Sequence, residues 1–338
     1  MGKALGFDLG SAYTAFCIQD DKEIKTVPSV VAVDAKSQRL MAFGNQAKKM
    51  IGRAPSTVSI SRPITNGMVS DVASTSMLVS SILEKLEIAS VFKRAEVVST
   101  IPFGASKNDE RAFESAITDA GVATLDFVET PLAIALGAGM PLDISTGRMI
   151  VDVGAGHTEA SIISHGGVVI ASSIKSAGDA MTKAIADYVT KAHGIEIGEL
   201  TAEAIKIKLG TLNPAAPQRS IKISGKVRAD KSSKYIDKIT ASAVITSQEL
   251  IPVLAPFADK IIETITGALE KTPPEISSDI SDFGILLSGG GAALNGLAGY
   301  IEKSLKVKVT STKTPALDAA RGVMRIINGG RTYAKFTK

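Results

Sequence analysis

Three short glycine-containing segments of this chain are typical of turns that bind phosphate. They are DLGSAYT from Asp8, DVGAGHT from Asp152 and SGGGAAL from Ser288. Glycine has no Cβ, so the backbone N–H groups of such turns can approach an anion closely and surround it. An aspartate at the start of the first two turns adds a carboxylate, a ligand that suits hydrated Mg²⁺. Together the segments predict a site for a phosphate-bearing ligand.

The elements around these segments decide how they are positioned. The first two lie between apolar runs, in LGFDLGSAYTAFCIQ from Leu5 and IVDVGAGHTEASIIS from Ile150, which predicts a β-hairpin at each. The third lies between a predicted strand and a predicted helix, so that a helix N-terminus would face a flat ligand group. A lone glycine-rich turn is most often only a turn, but two such hairpins in one chain predict two similar α/β halves.

Composition limits the class of protein. The chain has 338 residues, enough for about two or three domains. Aromatic residues make up 4% and tryptophan is absent, which argues against a stacking platform for single-stranded nucleic acid. The net charge of +4 is too small to indicate nucleic acid, but it suits a nucleotide or a membrane surface. The single cysteine, Cys17, excludes an internal disulfide and is expected to be a buried core thiol.

The N-terminal segment MGKALGFDLG lacks the apolar core of a signal peptide. The sequence also has no stretch of about 20 apolar residues that would span a bilayer. We therefore expect a cytoplasmic protein that meets a membrane, where it does so, from the inner face.

The order of these segments resembles the actin superfamily of ATPases, and most closely the MreB family of bacterial actins. GFDLGSAYT resembles the first phosphate loop of that family and VDVGAGHTEASIISHGG the second. GELTAEAIKI, LEKTPPE and LLSGGGAALNGL resemble further segments in the same order. PALDAARGVMRI also resembles MamK, the magnetosome-organising actin. A MamK-like protein is therefore the alternative to an MreB-like one. The resemblance covers essentially the whole chain.

The resemblance implies an α/β, actin-like ATPase fold. Two similar α/β halves would each carry a small inserted subdomain and would hold a nucleotide in the cleft between them. The first half would comprise residues 1–146 and 313–338, with subdomain IB at about 33–65. The second half would comprise residues 147–312, with subdomain IIA at about 147–183 and 250–312 and subdomain IIB at about 184–249.

The resemblance also implies ATP or ADP with Mg²⁺ as cofactors. Asp8 and Asp152 would reach Mg²⁺ through water, and Glu203 would lie near the ribose. The first two turns would clamp the phosphates, and the third would flank the adenine and its sugar. The implied nucleotide contacts are Gly10, Ser11, Ala12, Tyr13, Gly154, Ala155, Gly156, His157, Thr158, Gly178, Asp179, Gly289, Gly290, Gly291 and Ala292.

This chain departs from the family pattern at two positions whose side chains take part in ATP hydrolysis in that family. MreB proteins typically have Glu-Glu-Pro where this chain has Glu129-Thr130-Pro131, and the second glutamate orients the attacking water. They usually have Thr-Thr where this chain has His157-Thr158. A threonine cannot act as a base, and losing a positioned acid–base group costs about 10²- to 10⁴-fold. The candidate catalytic residues Glu129, Thr130 and His157 therefore predict weakened or altered hydrolysis, with His157 either orienting the water or only hydrogen-bonding locally.

The segment IASVFKRAE predicts a membrane contact. Val91 and Phe92 match the apolar membrane-insertion turn of the family, and Lys93 and Arg94 follow them. Each basic residue would strengthen binding to anionic lipid by about 1 kcal/mol. The many copies of this turn in a filament would bind the membrane together and so more tightly than one copy alone. The alternative is that Val91 and Phe92 pack inside the protein.

The resemblance implies a nucleotide-dependent, polymerising bacterial cytoskeletal protein that acts in cell shape or intracellular organisation. Its partners would be further copies of itself and cell-shape or organelle-organising proteins, with no nucleic acid. One alternative is a soluble ATPase or kinase of the same superfamily that does not polymerise, because fold alone does not decide function. Another is a filament former that binds ATP but barely hydrolyses it.

Overall fold

The computed structural model describes residues 4–85, 96–122, 124–142, 144–227, 240–329 and 333–338. The strands in this part of the chain are β1 (Leu5–Leu9), β2 (Tyr13–Ile18), β3 (Lys25–Pro28), β4 (Val31–Asp34), β5 (Leu40–Phe43), β6 (Val58–Ser61), β7 (Ile64–Thr65), β8 (Met68–Val69), β9 (Glu96–Ile101), β10 (Thr124–Glu129), β11 (Arg148–Val153), β12 (Thr158–Ser164), β13 (Gly167–Ile174), β14 (Ile195–Glu196), β15 (Ser220–Val227), β16 (Thr240–Thr246), β17 (Ile285–Ser288) and β18 (Val309–Ser311). The helices are α1 (Asn45–Met50), α2 (Val72–Lys85), α3 (Lys107–Thr118), α4 (Thr130–Ala138), α5 (Gly178–His193), α6 (Glu199–Leu209), α7 (Ser247–Leu269), α8 (Pro274–Phe283), α9 (Leu297–Leu305) and α10 (Asp318–Gly329).

Two five-stranded sheets of the same topology form the two halves of the molecule. The strand order is β3-β2-β1-β9-β10 in the first half and β13-β12-β11-β17-β18 in the second. In each sheet the first three strands pair antiparallel and the last three pair parallel. The shared order confirms the prediction of two similar α/β halves.

The predicted hairpins position the first two glycine segments at equivalent points. Leu9 pairs with Thr14 across the end of the β1–β2 hairpin, and Val153 pairs with Thr158 across the end of the β11–β12 hairpin. The turns between these pairs are residues 10–13 and 154–157. Both β1 and β11 are largely buried on both faces, so each hairpin starts from the interior of its sheet.

A core shared by the two halves forms around α4 and α10. It combines residues of the first half, such as Val128 and Val323, with Ile150 and Leu286 of the second. The two helices cross with their backbones in contact at a pair of glycines. A Cβ added to Gly137 would lie 1.8 Å from the carbonyl oxygen of Asp318, and one added to Gly322 would lie 1.8 Å from that of Ala133.

Each half also carries a smaller sheet. In the first half, β4 lies between β5 and β6, and α1 packs beside this sheet through the buried Ala47. In the second half, β14, β15 and β16 form a three-stranded sheet beside α6. The first small sheet begins at Val31, just before the region of about 33–65 predicted as subdomain IB. The division of the chain into subdomains stays a prediction. No helix in the described ranges has the length and apolar character needed to cross a membrane.

The third glycine segment differs from its prediction. Residues Gly290–Ala293, which follow β17, form a 3-10 turn, and α9 begins only at Leu297. Gly296 has a φ of 81°, in the left-handed region that favours glycine, and it redirects the chain before the helix. The prediction that a helix begins at the glycine run is therefore wrong.

Candidate functional site

A cavity of about 610 Å³ lies between the two halves. Both hairpin turns reach it, and Gly156 of the second turn is so close to the first that a Cβ there would lie 3.0 Å from Ser11 Oγ. The predicted site residues that line the cavity are Asp8, Gly10, Ser11, Ala12, Tyr13, Thr130, Asp152, Gly154, Ala155, His157, Gly178, Asp179, Glu203, Gly289, Gly290 and Gly291. Residues far apart in sequence therefore meet in one place.

Four predicted site residues are not among those that line the cavity. Thr158 is buried, and its hydroxyl donates to the carbonyl of Ser176 at 2.9 Å. Glu129 accepts a hydrogen bond from Lys338 Nζ at 3.3 Å. Gly156 packs against the backbone of Asn66, and Ala292 packs on the core of the second half.

The predicted membrane residues, Val91 and Phe92, lie outside the described residues. Their role stays a prediction.

Two carboxyl groups, Asp8 and Asp152, stand in the cavity wall at the ends of β1 and β11. Burial raises the pKa of Asp8 to about 6, and the negative charge of Asp152 raises it further. A hydrogen bond from the Thr100 hydroxyl, at 2.8 Å, acts in the opposite direction and lowers it. Burial also raises the pKa of Asp152 to about 6, and the charge of Asp318 adds to it. Two buried carboxyl groups that face one wall of the cavity are suited to a hydrated cation.

His157 and Thr130, the two departures at the hydrolysis positions, line the same cavity. Thr130 is the first residue of α4, directly after the N-cap residue Glu129. Burial lowers the pKa of His157, so its imidazole is neutral at pH 7. A neutral imidazole can accept a hydrogen bond from water, whereas a threonine hydroxyl cannot take up a proton near neutral pH.

A hairpin that was not predicted from the sequence contacts both glycine turns. Strands β7 and β8 are joined by Asn66 and Gly67, whose φ angles of 51° and 77° are both positive, as a two-residue hairpin turn requires. The N–H of Gly67 donates to Ser11 Oγ at 2.9 Å. The Asn-Gly pair between two short strands is itself a strong hairpin signal, so the sequence contained the information.

Lys206 of α6 is a second functional candidate that the sequence analysis missed. Its ammonium donates to the carbonyl of Gly178 at 2.6 Å and to Thr182 Oγ1 at 2.8 Å, and its side chain lines the cavity. Burial lowers its pKa. The available signal was its spacing from Glu203, because residues three apart share one face of a helix.

The polar pair Thr211 and Asn295 was also missed. The Thr211 hydroxyl lies 2.8 Å from Asn295 Oδ1, and Asn295 lines the cavity near the third glycine segment. The pair joins the end of α6 to the loop before α9, and nothing local in the sequence links two residues so far apart.

The chain as a whole is similar to a family of bacterial proteins. The family model described as MreB/Mbl protein matches residues 2–335. The cell shape-determining protein Mbl of Bacillus cereus is 33% identical over 311 residues, covering 92% of this chain and 91% of Mbl.

Solved structures show the same fold. MreB5 of Spiroplasma citri, solved with ADP and with AMPPNP, superposes with a TM-score of 0.88 at 27% identity, covering 95% of each chain. The MamK double helical filament superposes with a TM-score of 0.77 at 21% identity, covering 96% of this chain and 98% of MamK. These similarities confirm the predicted actin-like fold.

Proposed function

The chain belongs to the MreB/Mbl family, and we propose that it is a nucleotide-dependent, polymerising cytoskeletal protein of the bacterial actin type. One observation carries the proposal: two glycine-containing hairpin turns, one from each half, meet at a cavity with Asp8 and Asp152 in its wall. A ligand held between two halves favours their closed arrangement, and it can thereby control how subunits associate.

An adenine nucleotide is the proposed ligand. The cavity volume of about 610 Å³ lies inside the range of about 300–1,000 Å³ that is usual for small-molecule sites. The glycine turns offer backbone N–H groups to phosphates, and Glu203 offers a carboxylate to sugar hydroxyls. MreB5 of S. citri has been solved with ADP and with AMPPNP, which supports the same class of ligand here.

Mg²⁺ is the proposed metal, and the donor set fits it. Mg²⁺ keeps several waters, so the carboxylates of Asp8 and Asp152 suffice together with the phosphates of the nucleotide. When bound, the ion neutralises phosphate charge. The Thr100 hydroxyl, hydrogen-bonded to Asp8 at 2.8 Å, holds that carboxylate in one orientation.

Hydrolysis is proposed to be slow and to depend on His157. Thr130 has no basic group, so the neutral imidazole is the group in this part of the cavity that can orient a water molecule and accept its proton. His157→Ala should then reduce phosphate release further. His157→Gln is the matched control, because its amide keeps hydrogen-bonding capacity without a titratable group.

Self-association is proposed to be head-to-tail, because heterologous contacts that do not close give open filaments. The fold is shared with MamK, whose solved form is a double helical filament. Cell-shape or organelle-organising proteins are the proposed further partners, in keeping with the cell shape-determining relative Mbl.

The decisive experiment measures filament assembly of the purified protein by light scattering and pelleting, with ATP, with ADP and without nucleotide. Phosphate release is measured in the same samples. We expect pelleted filaments with ATP and phosphate release well below that of an ordinary MreB. Asp152→Ala should abolish the response to nucleotide, whereas Lys49→Ala on the exposed face of α1 should not. A protein that binds ATP but stays monomeric would favour the soluble, non-polymerising alternative.

A contact with the inner face of the cell membrane through Val91 and Phe92 is proposed as a separate property. Replacing both residues with serine should abolish co-sedimentation with anionic liposomes while filaments still form. Unchanged liposome binding would overturn the membrane proposal and leave the nucleotide proposal intact.

A further inference from the structure

An ion pair joins the two halves beside the cavity. Lys48 lies on α1 of the first half, and its ammonium is 2.7 Å from Glu203 Oε2 on α6 of the second half. The two side chains are only 19% and 25% exposed, so solvent weakens the pair less than it would at an open surface. Glu203 therefore holds Lys48 while it also lines the cavity.

Tyr13 completes this contact from the first glycine turn. Its hydroxyl accepts a hydrogen bond from Lys48 at 3.2 Å, and the ammonium lies 5.0 Å from the centre of its ring. Burial alone would lower the pKa of Lys48, but Glu203 and Tyr13 outweigh that effect and raise it. Lys48 therefore stays charged and is held by both halves at once.

A second ion pair repeats the connection one helical turn away. Arg62, which follows β6 in the first half, pairs with Glu199 at the start of α6. Glu199 and Glu203 are four residues apart, so they lie on one face of α6. Two glutamates on one face of α6 therefore form ion pairs with two basic residues from the smaller sheet region of the first half.

We propose that Lys48 and Arg62 clasp α6 across the mouth of the cavity, so that a bound nucleotide leaves only after both ion pairs have parted. The inference rests on the proposed function for the identity of the ligand, and it adds the groups that control its release. Each ion pair keeps some contact with solvent and is individually weak, so the clasp opens readily. Salt weakens the more exposed Arg62–Glu199 pair most.

The first test measures release of a fluorescent ADP analogue after mixing with excess unlabelled ADP. Each of Lys48→Ala and Arg62→Ala should speed release about two- to fivefold, and the double variant more. Added salt should speed release from the unaltered protein and have little effect on the double variant. Lys49→Ala is the matched control, because it removes an exposed lysine of the same helix and should leave the rate unchanged.

Charge reversal tests the second pair without altering the cavity wall. Arg62→Glu should speed release, and combining it with Glu199→Arg should restore the slow rate. An increase that is not restored would show that Arg62 acts other than through Glu199 and would overturn its place in the clasp.

A readout without nucleotide separates this inference from the proposed function. Spin labels at Gln46→Cys on α1 and Lys208→Cys on α6 report the width of the mouth by electron–electron distance measurement. Cys17 does not interfere, because burial raises its pKa to about 12 and keeps the thiol unreactive. The distance should lengthen in the double Lys48→Ala, Arg62→Ala variant and at high salt.

An unchanged label distance together with an unchanged release rate would overturn the clasp. If the unaltered protein binds no nucleotide, the proposed function fails, and the label distance alone then decides whether the clasp exists. If Lys48→Ala slows nucleotide association but leaves release unchanged, Lys48 acts by attracting the anionic nucleotide and not by holding the two halves together, and the inference is overturned.

Discussion

The imidazole of His157 lies directly against Gly67, where an added Cβ would come within 2.6 Å of its Cε1. The Asn66-Gly67 turn of the first half therefore fixes the position of a histidine that belongs to the second half. Movement of one half relative to the other must displace one of these residues.

Gly67→Ala should shift the imidazole and lower phosphate release. A displacement of about 1 Å of a reacting group can cost about 10²-fold in rate. The measurement is phosphate release at saturating ATP, with the NMR signals of the His157 ring as a direct check on its environment. Gly52→Ala is the control, because Gly52 also has a positive φ, 69°, but a Cβ there meets nothing within 4 Å. Equal effects of the two substitutions would show backbone strain alone.

Thr130→Glu should raise phosphate release. The side chain lines the cavity at the start of α4, so a carboxylate there can orient water and take its proton. The expected gain is about 10²-fold or more if the missing acid–base group limits the rate. Thr130→Gln, of the same size and without charge, should give little gain. A similar rate in the threonine, glutamate and glutamine forms would show that hydrolysis does not depend on this position.

Gly137→Ala and Gly322→Ala should each destabilise the protein strongly. The added methyl group would meet a backbone carbonyl at 1.8 Å, which the crossing of α4 and α10 cannot accommodate without moving the helices apart. We expect a loss of about 3 kcal/mol or more in the free energy of unfolding, measured by denaturant titration. Gly299→Ala on α9, where a Cβ meets nothing within 4 Å, should instead stabilise by about 0.5–1 kcal/mol.

Protonation of Glu249 should lower the free energy of unfolding at acidic pH. Burial would raise its pKa, but hydrogen bonds from the Thr246 backbone, the Tyr188 hydroxyl at 2.8 Å and His193 at 3.0 Å outweigh burial and lower it below the ordinary value of 4.5. A lowered pKa contributes stability above pH 4.5 that is lost as the pH falls through the folded-state value.

Glu249→Gln should therefore have a lower melting temperature at pH 7, and the difference from the unaltered protein should shrink as the pH falls below 4.5. Circular dichroism melts across this range measure it. A difference that stays constant with pH would contradict the assigned cause.

Local sequence patterns predicted the two hairpins and the residues at their turns. Asp8 and Asp152 each lie in an apolar run two residues before a glycine, so the strands, the turns and their repetition follow from neighbouring residues. The Asn66-Gly67 hairpin was equally local and was missed only because its strands are two residues long.

Contacts between distant segments could not be predicted in this way. The pairing of Lys48 with Glu203 depends on how two halves close, and no periodicity or spacing encodes it. The start of α9 was also mispredicted. The glycine run after a strand indicated a helix N-terminus at that point, but the backbone of Gly296 is left-handed and the helix begins only at Leu297.

The crossing of α4 and α10 also bears on how the chain folds as it is synthesised. The strands of the second half, from Arg148 to Ser311, leave the ribosome as one uninterrupted stretch. The sheet of the first half is made earlier, but its helix α10, which packs on β1 and α4, is made only after that stretch. The apolar surface of α4 therefore stays uncovered by α10 while the second half is being synthesised. The half whose synthesis begins first is the one that is completed last.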